Sequence, residues 1–152
     1  MTTSTISNSV HARTGIAACA ALLATLPAVA AEQIRVVERP VGEVTVDLAA
    51  KGDSVGDMLV FANELFDAAN KTKVGSDQGY CVRTVVGKSW ECFWTAILKE
   101  GQITIEGPFL DTGDSLFVVT GGTGKYAGAK GSLKLHPRDA TPTGYDFTYD
   151  LL

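Results

Sequence analysis

Short apolar or alternating segments, each about as long as a β-strand, recur along the chain from residue 34 onward and are separated by turn residues. Eight or nine such runs at near-regular spacing are typical of an all-β sandwich or barrel. The connections are too short for the crossover helices of a parallel sheet, so neighbouring runs should pair as antiparallel hairpins. Closure into a barrel would remove the exposed strand edges. The runs are 34–37, 44–48, 58–66, 80–86, 90–98, 102–110, 115–120, 131–135 and 145–151.

One of these segments, residues 58–69, has a pattern that two kinds of structure could produce. Leu59, Phe61 and Leu65 fit the apolar face of a helix loosely, and they also fit the alternation of a strand. We favour a strand, because the neighbouring runs are strand-sized and Asn63 then continues the same face.

Period-two alternation assigns three faces to the barrel interior and places Glu106 and His136 on outward faces. Asn63 is the polar member of an otherwise apolar inward face. Such an amide is either a core residue that must satisfy its hydrogen bonds or a functional group that points at a ligand or a water. The three inward faces are Leu59, Phe61, Asn63 and Leu65; Ile103, Ile105, Gly107 and Phe109; and Tyr145, Phe147, Tyr149 and Leu151.

The first thirty residues have the pattern of a secretory signal peptide. They contain no acidic residue, and His11 and Arg13 precede an apolar run over residues 16–26, which is followed by the small-x-small site at residues 28–30. The run is too short for a permanent membrane span, and a frayed helix is the structural alternative. We therefore expect cleavage after Ala30, a barrel domain over residues 31–152, and a secreted or periplasmic protein without a stable membrane anchor.

Charge and cysteine content limit the partners and the covalent structure of the predicted domain. Of 13 basic and 17 acidic residues, only Arg13 lies in the signal segment, and no basic cluster exists. An acidic chain of this kind argues against binding to nucleic acid or anionic membranes. Two cysteines remain in the domain, and an even number in an exported protein suggests a disulfide.

The pairing of Cys81 with Cys92 depends on the register of one hairpin. If Val86 and Gly87 form its turn, the two cysteines face each other across the strands and are close enough to bond. If the turn is formed by Gly87 and Lys88, Cys81 faces Trp94 instead. We favour the disulfide.

Other motifs lead to structural interpretations. The stretch at residues 120–126 contains Gly124-Lys125, but Tyr126 stands where a phosphate-binding loop needs serine or threonine, so a tight glycine turn is the better interpretation. His136 is the only histidine of the domain, and with two cysteines it lacks the spacing of a zinc site. The sequence predicts neither a metal nor a cofactor.

Several motifs, in order along most of the domain, resemble those of the plant allene oxide cyclases and, more loosely, of the dirigent proteins. The family fold is an eight-stranded antiparallel barrel, which agrees with the strand count. The motifs are GDMLVFANELF at residues 56–66, VG at 74–75, GYCV at 79–82, GQI at 101–103, EGPFL at 106–110, VTGGTGKY at 119–126 and KLH at 134–136.

The resemblance implies an apolar cavity that selects one folded conformer of a reactive, lipid-like molecule and directs its ring closure without a cofactor. Asn63 matches a family asparagine that holds a water, Cys81 matches a cysteine near the substrate, and Glu38 corresponds to a glutamate of the first strand. Plant members are trimers, so a homo-oligomer, trimer or dimer, is implied here.

Three functions follow as hypotheses. The first is a protein that binds a small apolar molecule and steers its cyclisation or coupling, with Asn63, Glu38 and Cys81 at the reacting end. The second is a non-catalytic carrier of such molecules. The third is an exported structural module with a filled barrel. The expected cavity lining is Phe61, Ile105, Phe109, Phe147 and Tyr149.

Overall fold

A computed structural model describes Met1, residues 31–139 and residues 143–152, so the predicted signal peptide lies outside the described residues. Apart from one 3-10 turn at Gly124–Tyr126, the regular structure of the described part is entirely β. No helix in the described ranges is long and apolar enough to cross a membrane. The strands are β1 (Glu32–Arg39), β2 (Glu43–Val46), β3 (Met58–Asp67), β4 (Lys73–Val85), β5 (Ser89–Leu98), β6 (Gly101–Leu110), β7 (Ser115–Gly122), β8 (Gly131–Pro137) and β9 (Tyr145–Leu151).

The sheet closes into an eight-stranded antiparallel barrel with one additional strand. Strands β3 to β9 follow one another as sequential neighbours, and β1 closes the sheet by pairing with β9 on one side and with β3 on the other. The predicted fold class is confirmed. Residues 58–67 form a strand, as favoured, because β3 is paired along its length with β4.

The additional strand β2 lies end to end with β1 along the same edge of β3. Residues 36–39 of β1 pair with residues 64–67, and residues 43–46 of β2 pair with residues 58–61. Between them, residues 40–42 interrupt the ladder. Pro40 has no backbone N–H to donate, which suits it to a break of this kind. The first edge of the barrel is therefore one extended segment with a gap opposite Ala62 and Asn63.

The three faces assigned to the interior point inward. Leu65, Ile103, Ile105 and Tyr149 are fully buried, whereas Glu106 and His136 are exposed. Small side chains give the large rings room: Gly79 lies opposite Trp94 across β4 and β5, and a Cβ at Gly79 would collide with the Trp94 backbone and Cβ. The interior is filled by side chains over most of its length, as in other small barrels.

The hairpin of β4 and β5 settles the cysteine register. Cys81 and Cys92 are cross-strand partners with Cα atoms 4.0 Å apart, and their sulfurs form a disulfide. The turn spans residues 86–88, and a bulge between Arg83 and Val85 accommodates the extra residue, Thr84. The predicted pairing is confirmed, although the turn is one residue longer than the Val86–Gly87 turn that predicted it.

We expect the disulfide to stabilise the barrel modestly. Its loop is short, so removing it by Cys81→Ala with Cys92→Ala should lower the free energy of unfolding by about 2 kcal/mol. Urea unfolding followed by tryptophan fluorescence measures this, with and without reductant. Reductant should shift the wild-type midpoint toward that of the double variant and leave the variant unchanged. A wild-type midpoint unmoved by full reduction would contradict the expectation.

Candidate functional site

A cavity of about 70 Å³ lies inside the barrel at the end where β4 and β6 finish and β5 and β7 begin. Its inner wall is buried, Leu59, Phe61, Phe109 and Tyr145 are half-buried, and Glu43 at the mouth is exposed. Six aromatic side chains, the disulfide and two glutamates enclose the space. The lining residues are Glu38, Glu43, Leu59, Phe61, Cys81, Cys92, Trp94, Phe109, Phe117, Leu135, Tyr145 and Phe147.

Asn63 holds together the interrupted edge strand and the acidic wall of this cavity. Its Oδ1 accepts hydrogen bonds from the backbone N–H groups of Val41 (2.9 Å) and Gly42 (3.3 Å), inside the gap between β1 and β2. Its Nδ2 donates to Oε1 of Glu38 (2.9 Å) and, more weakly, to Oε1 of Glu43 (3.3 Å). All four hydrogen-bonding positions of the amide are used. Asn63 therefore positions two carboxylates and supports the backbone.

Glu38 and Asp77 form a buried acidic pair beside the cavity. They are 5% and 1% exposed. Burial and then the negative charge of Asp77 raise the pKa of Glu38 well above its usual range, although the hydrogen bond from Asn63 opposes the shift. Burial raises the pKa of Asp77 to about 7, and Glu43 adds to the rise. Such a pair holds a proton near neutral pH, as a general acid or base must.

Polar groups deeper in the barrel extend this acidic region. Neither side-chain oxygen of Asp77 makes a well-formed hydrogen bond within the described chain, and the same holds for the Trp94 Nε1–H and the Tyr149 hydroxyl. Burial, followed by the charges of Asp77 and Glu38, raises the pKa of Tyr149 well above its usual value. The barrel therefore buries strong hydrogen-bonding groups in an apolar surrounding beneath the cavity lining.

The structure brings most of the predicted site residues to one place. Glu38, Cys81, Phe61, Phe109 and Phe147 line the cavity, and Asn63 lies directly behind its glutamates. Cys81 is present as half of the disulfide and has no free thiol. The remaining two predicted lining residues, Ile105 and Tyr149, are fully buried and lie outside the cavity lining.

An ion-pair cluster closes part of the mouth at the same end of the barrel. The guanidinium of Arg83 is nearly buried, with Nε 2.6 Å from Oδ1 of Asp53 and Nη1 2.6 Å from Oδ1 of Asp111. It also stacks over the ring of Trp90, 4.0 Å from the ring centre. Backbone bonds join Arg83 to Gly56 and Asp57, so the loop between β2 and β3 is fastened over the rim.

The motifs assigned structural roles lie away from the cavity. Gly124 has positive φ and begins the 3-10 turn at the opposite end of the barrel, as a tight turn requires. His136 is exposed on β8 and contacts Asp114. Among the described residues, no group of three or more His, Cys, Asp or Glu side chains is placed to hold a metal ion.

Sequence reasoning missed Asp77, Glu43 and Trp94. Asp77 lies four residues before Cys81 on β4, and therefore on the same inward face. Extending that strand backward would have placed Asp77 inside the barrel, but the preceding residues are polar and resemble a loop. Glu43 reaches the cavity because the edge strand is interrupted, and alternation gives no signal for such a gap. Trp94 was visible as a large residue on β5, and only the register shows that it lies at the cavity wall.

The model of the allene oxide cyclase family matches residues 34–150, which include nearly the whole barrel. The chain belongs to the allene oxide cyclase family. The resemblance seen in the sequence motifs is thereby confirmed.

Solved structures support the same fold. One is a pyocyanin demethylase, with 26% identity and a TM-score of 0.70 over 80% of this chain and 100% of that one. Another is a pterocarpan synthase dirigent protein, with 14% identity and a TM-score of 0.65 over 80% and 93%. A Diels-Alderase from Streptomyces koyangensis has 11% identity and a TM-score of 0.62 over 83% and 70%. The latter two are similar to this chain in fold.

The buried acidic pair should make the protein less stable as pH rises. A carboxyl whose pKa is raised from 3.8 to about 7 by folding stabilises the fold below pH 4, and that contribution is lost as pH approaches 7. Between pH 5 and 8 the free energy of unfolding should fall by roughly 2–4 kcal/mol. Urea unfolding at a series of pH values measures this.

Asp77→Asn is the variant that tests the assignment, since it should flatten the profile. The carboxylates whose pKa values are lowered, including Asp57, Asp67 and Asp114, change charge below this window and do not interfere. A wild type more stable at pH 8 than at pH 5, or an unchanged slope in Asp77→Asn, would contradict the assignment.

Proposed function

We propose that this protein binds a small, largely apolar molecule in the aromatic cavity and steers its cyclisation or coupling without a cofactor. The observation that carries the proposal is the position of Glu38, a buried carboxyl that faces a cavity with six aromatic side chains. Burial raises the pKa of Glu38 and so favours its protonated form, which can donate a proton or hydrogen bond to a substrate oxygen. The rings restrict the substrate to a few conformers, which selects the product.

Within this proposal, Asn63 acts through the glutamates. Its amide is fully engaged with Val41, Gly42, Glu38 and Glu43, so its role is to orient Glu38 toward the cavity. Cys81 contributes a wall of the cavity as a disulfide. Asp77 lies beside Glu38, and two buried carboxyl groups this close can share a proton.

Family membership and the named relatives support the reaction class. The solved relatives of the same barrel include a pterocarpan synthase dirigent protein and Diels-Alderases, and another relative is a demethylase. These names have in common chemistry on small organic molecules. A barrel whose catalysis depends on a few buried groups and on the shape of its cavity is consistent with that range of reactions.

We propose export to an oxidising compartment and a homo-oligomer as the setting of this activity. The disulfide is compatible with a secreted or periplasmic location. For the oligomer, a row of exposed apolar side chains crosses the outer face of the barrel from β2 to β5. Its members are cross-strand neighbours in register: Val44, Val60, Tyr80 and Phe93.

The test is capture and conversion of small molecules from an extract of the source organism. Wild type should retain a compound through gel filtration and convert it to an isomer or to one stereoisomer of a coupled product, as followed by chiral chromatography with mass detection. Leu59→Trp fills the cavity mouth and should abolish capture. Leu116→Trp is the matched control, because Leu116 is 65% exposed on the outer face of β7.

Glu38→Gln separates catalysis from binding, since glutamine can still accept the bond from Asn63 but cannot donate a proton. It should capture the compound and convert it at least tenfold more slowly. If wild type and Glu38→Gln both capture the compound and both release it unchanged, the result would favour the carrier function. The bonded state of Cys81, which leaves no thiol near the ligand, is the observation that favours this alternative. No capture by wild type would overturn both functions and favour the structural module.

A further inference from the structure

The cavity combines aromatic rings with carboxyl groups and has no basic side chain in its lining. Half of the lining residues are aromatic, and the only ionisable carboxyl groups among them are Glu38 and Glu43. Trp94 lies at the centre of the aromatic group, with ring centres 4.6 Å from Phe117, 6.0 Å from Phe147 and 6.3 Å from Phe61. Aromatic faces and carboxylates both attract cations, and together they form the usual environment for a desolvated organic cation.

We infer that the molecule bound in this cavity is a flat, delocalised cation, such as a quaternised or protonated heteroaromatic ring. The inference rests on the proposed function and specifies its substrate class. A delocalised cation is largely apolar in surface, so it suits an aromatic wall, and it places positive charge where Glu38 and Glu43 lie. A compact, strongly hydrated cation would lose more hydration free energy than its contacts with this wall would recover.

An anionic ligand finds no basic side chain among the described residues that line the cavity. Arg83 is the buried cation of the mouth, and two aspartates, Asp53 and Asp111, already neutralise it. Arg138, in the loop after β8, is paired with Asp146 at 3.0 Å. Inside the cavity a fatty-acid-like carboxylate would therefore meet carboxyl groups without a basic partner in the lining, and like charges at short range repel.

A second observation points the same way from beneath the cavity. Asp77 faces the interior on the same side of β4 as Cys81, is 1% exposed, and its oxygens make no well-formed hydrogen bond within the described chain. An ionised buried carboxyl is costly, and nearby positive charge relieves the cost. When it ionises, Asp77 adds negative potential beneath the cavity without occupying it.

Binding of a cation should therefore release protons from the acidic groups. The titratable groups that face Glu38 are Glu43 on β2, Asp77 on β4, and Tyr145 and Tyr149 on β9, while β3 presents the neutral amide of Asn63. Positive charge among them favours the ionised carboxylates, so affinity should rise as pH increases from 5.5 to 8. Calorimetry in phosphate and in Tris, which differ in ionisation enthalpy, counts the protons released.

The experiment uses three single-ring ligands of nearly the same shape and different charge: N-methylpyridinium (positive), toluene (neutral) and benzoate (negative). Isothermal calorimetry and quenching of tryptophan fluorescence give their affinities for the wild-type protein. We expect the cation to bind at least tenfold more tightly than the neutral isostere, and the anion to bind most weakly. The cation should release protons and the neutral ligand should not.

Matched variants assign the preference to the cavity. Glu43→Gln should reduce the ratio of cation to neutral affinity at least threefold. Glu106→Gln removes the same charge from the exposed outer face of β6 and should leave the ratio unchanged. An equal effect of the two variants would mean that the net charge of the protein causes the preference, and it would overturn the inference.

The remaining outcomes distinguish the inference from the proposed function. Equal binding of cation and neutral ligand, or stronger binding of the anion, would overturn the cationic substrate class while leaving a ligand-binding cavity intact. Failure of all three ligands to bind, together with no capture from the extract, would overturn the proposed function and the inference with it. If Leu59→Trp does not weaken binding of the cation, the ligand binds outside the cavity, and this result would also overturn the inference.

Discussion

The side-chain amide of Asn63 is the interaction on which the site depends. It fills the gap in the first edge of the barrel, where two backbone N–H groups would otherwise lack partners, and it binds the glutamates on either side of that gap. A hydrogen bond contributes about 0.5–1.5 kcal/mol net, so the four bonds of this amide stabilise the barrel and hold the two carboxyl groups close together. Structure and site chemistry are thus linked through one residue, and a change at Asn63 would alter both.

The acidic groups are tolerated because the surrounding barrel is rigid. Burial raises the pKa values of these carboxyl groups and costs free energy of folding. The fold tolerates that cost where hydrogen bonds and packing fix the neighbouring side chains. The disulfide connects β4 and β5 beside the cavity, and Arg83 fastens the rim through Asp53 and Asp111. Rigid walls of this kind favour preorganised binding, since little rearrangement is needed when a ligand enters.

The fold was accessible from the sequence because it depends on repeated local patterns. Alternation placed Leu59, Phe61, Asn63 and Leu65 on one inward face, and turn residues marked the hairpins. The site was accessible only in part. Alternation shows that Asn63 points inward, but its partners depend on a break in the edge strand that no period reveals.

Asp77 was missed for a related reason. Its flanking residues are polar, and only pairing with β3 and β5 makes that stretch a strand. The depth of Tyr149 and Ile105 relative to the cavity depends on how neighbouring side chains fill the interior, which is a property of the packed barrel. Local pattern therefore predicts which way a side chain points, and tertiary packing decides what it meets there.

The acidic groups beside the cavity should keep protons near neutral pH. A carbon-13 NMR titration of the side-chain carboxyls from pH 4 to 9, assigned with Glu38→Gln and Asp77→Asn, measures this directly. We expect Asp77 to titrate with a midpoint near 7 and Glu38 to remain protonated well above the pH at which exposed carboxyls ionise. Titration of both groups below pH 5, with the barrel folded, would contradict this expectation.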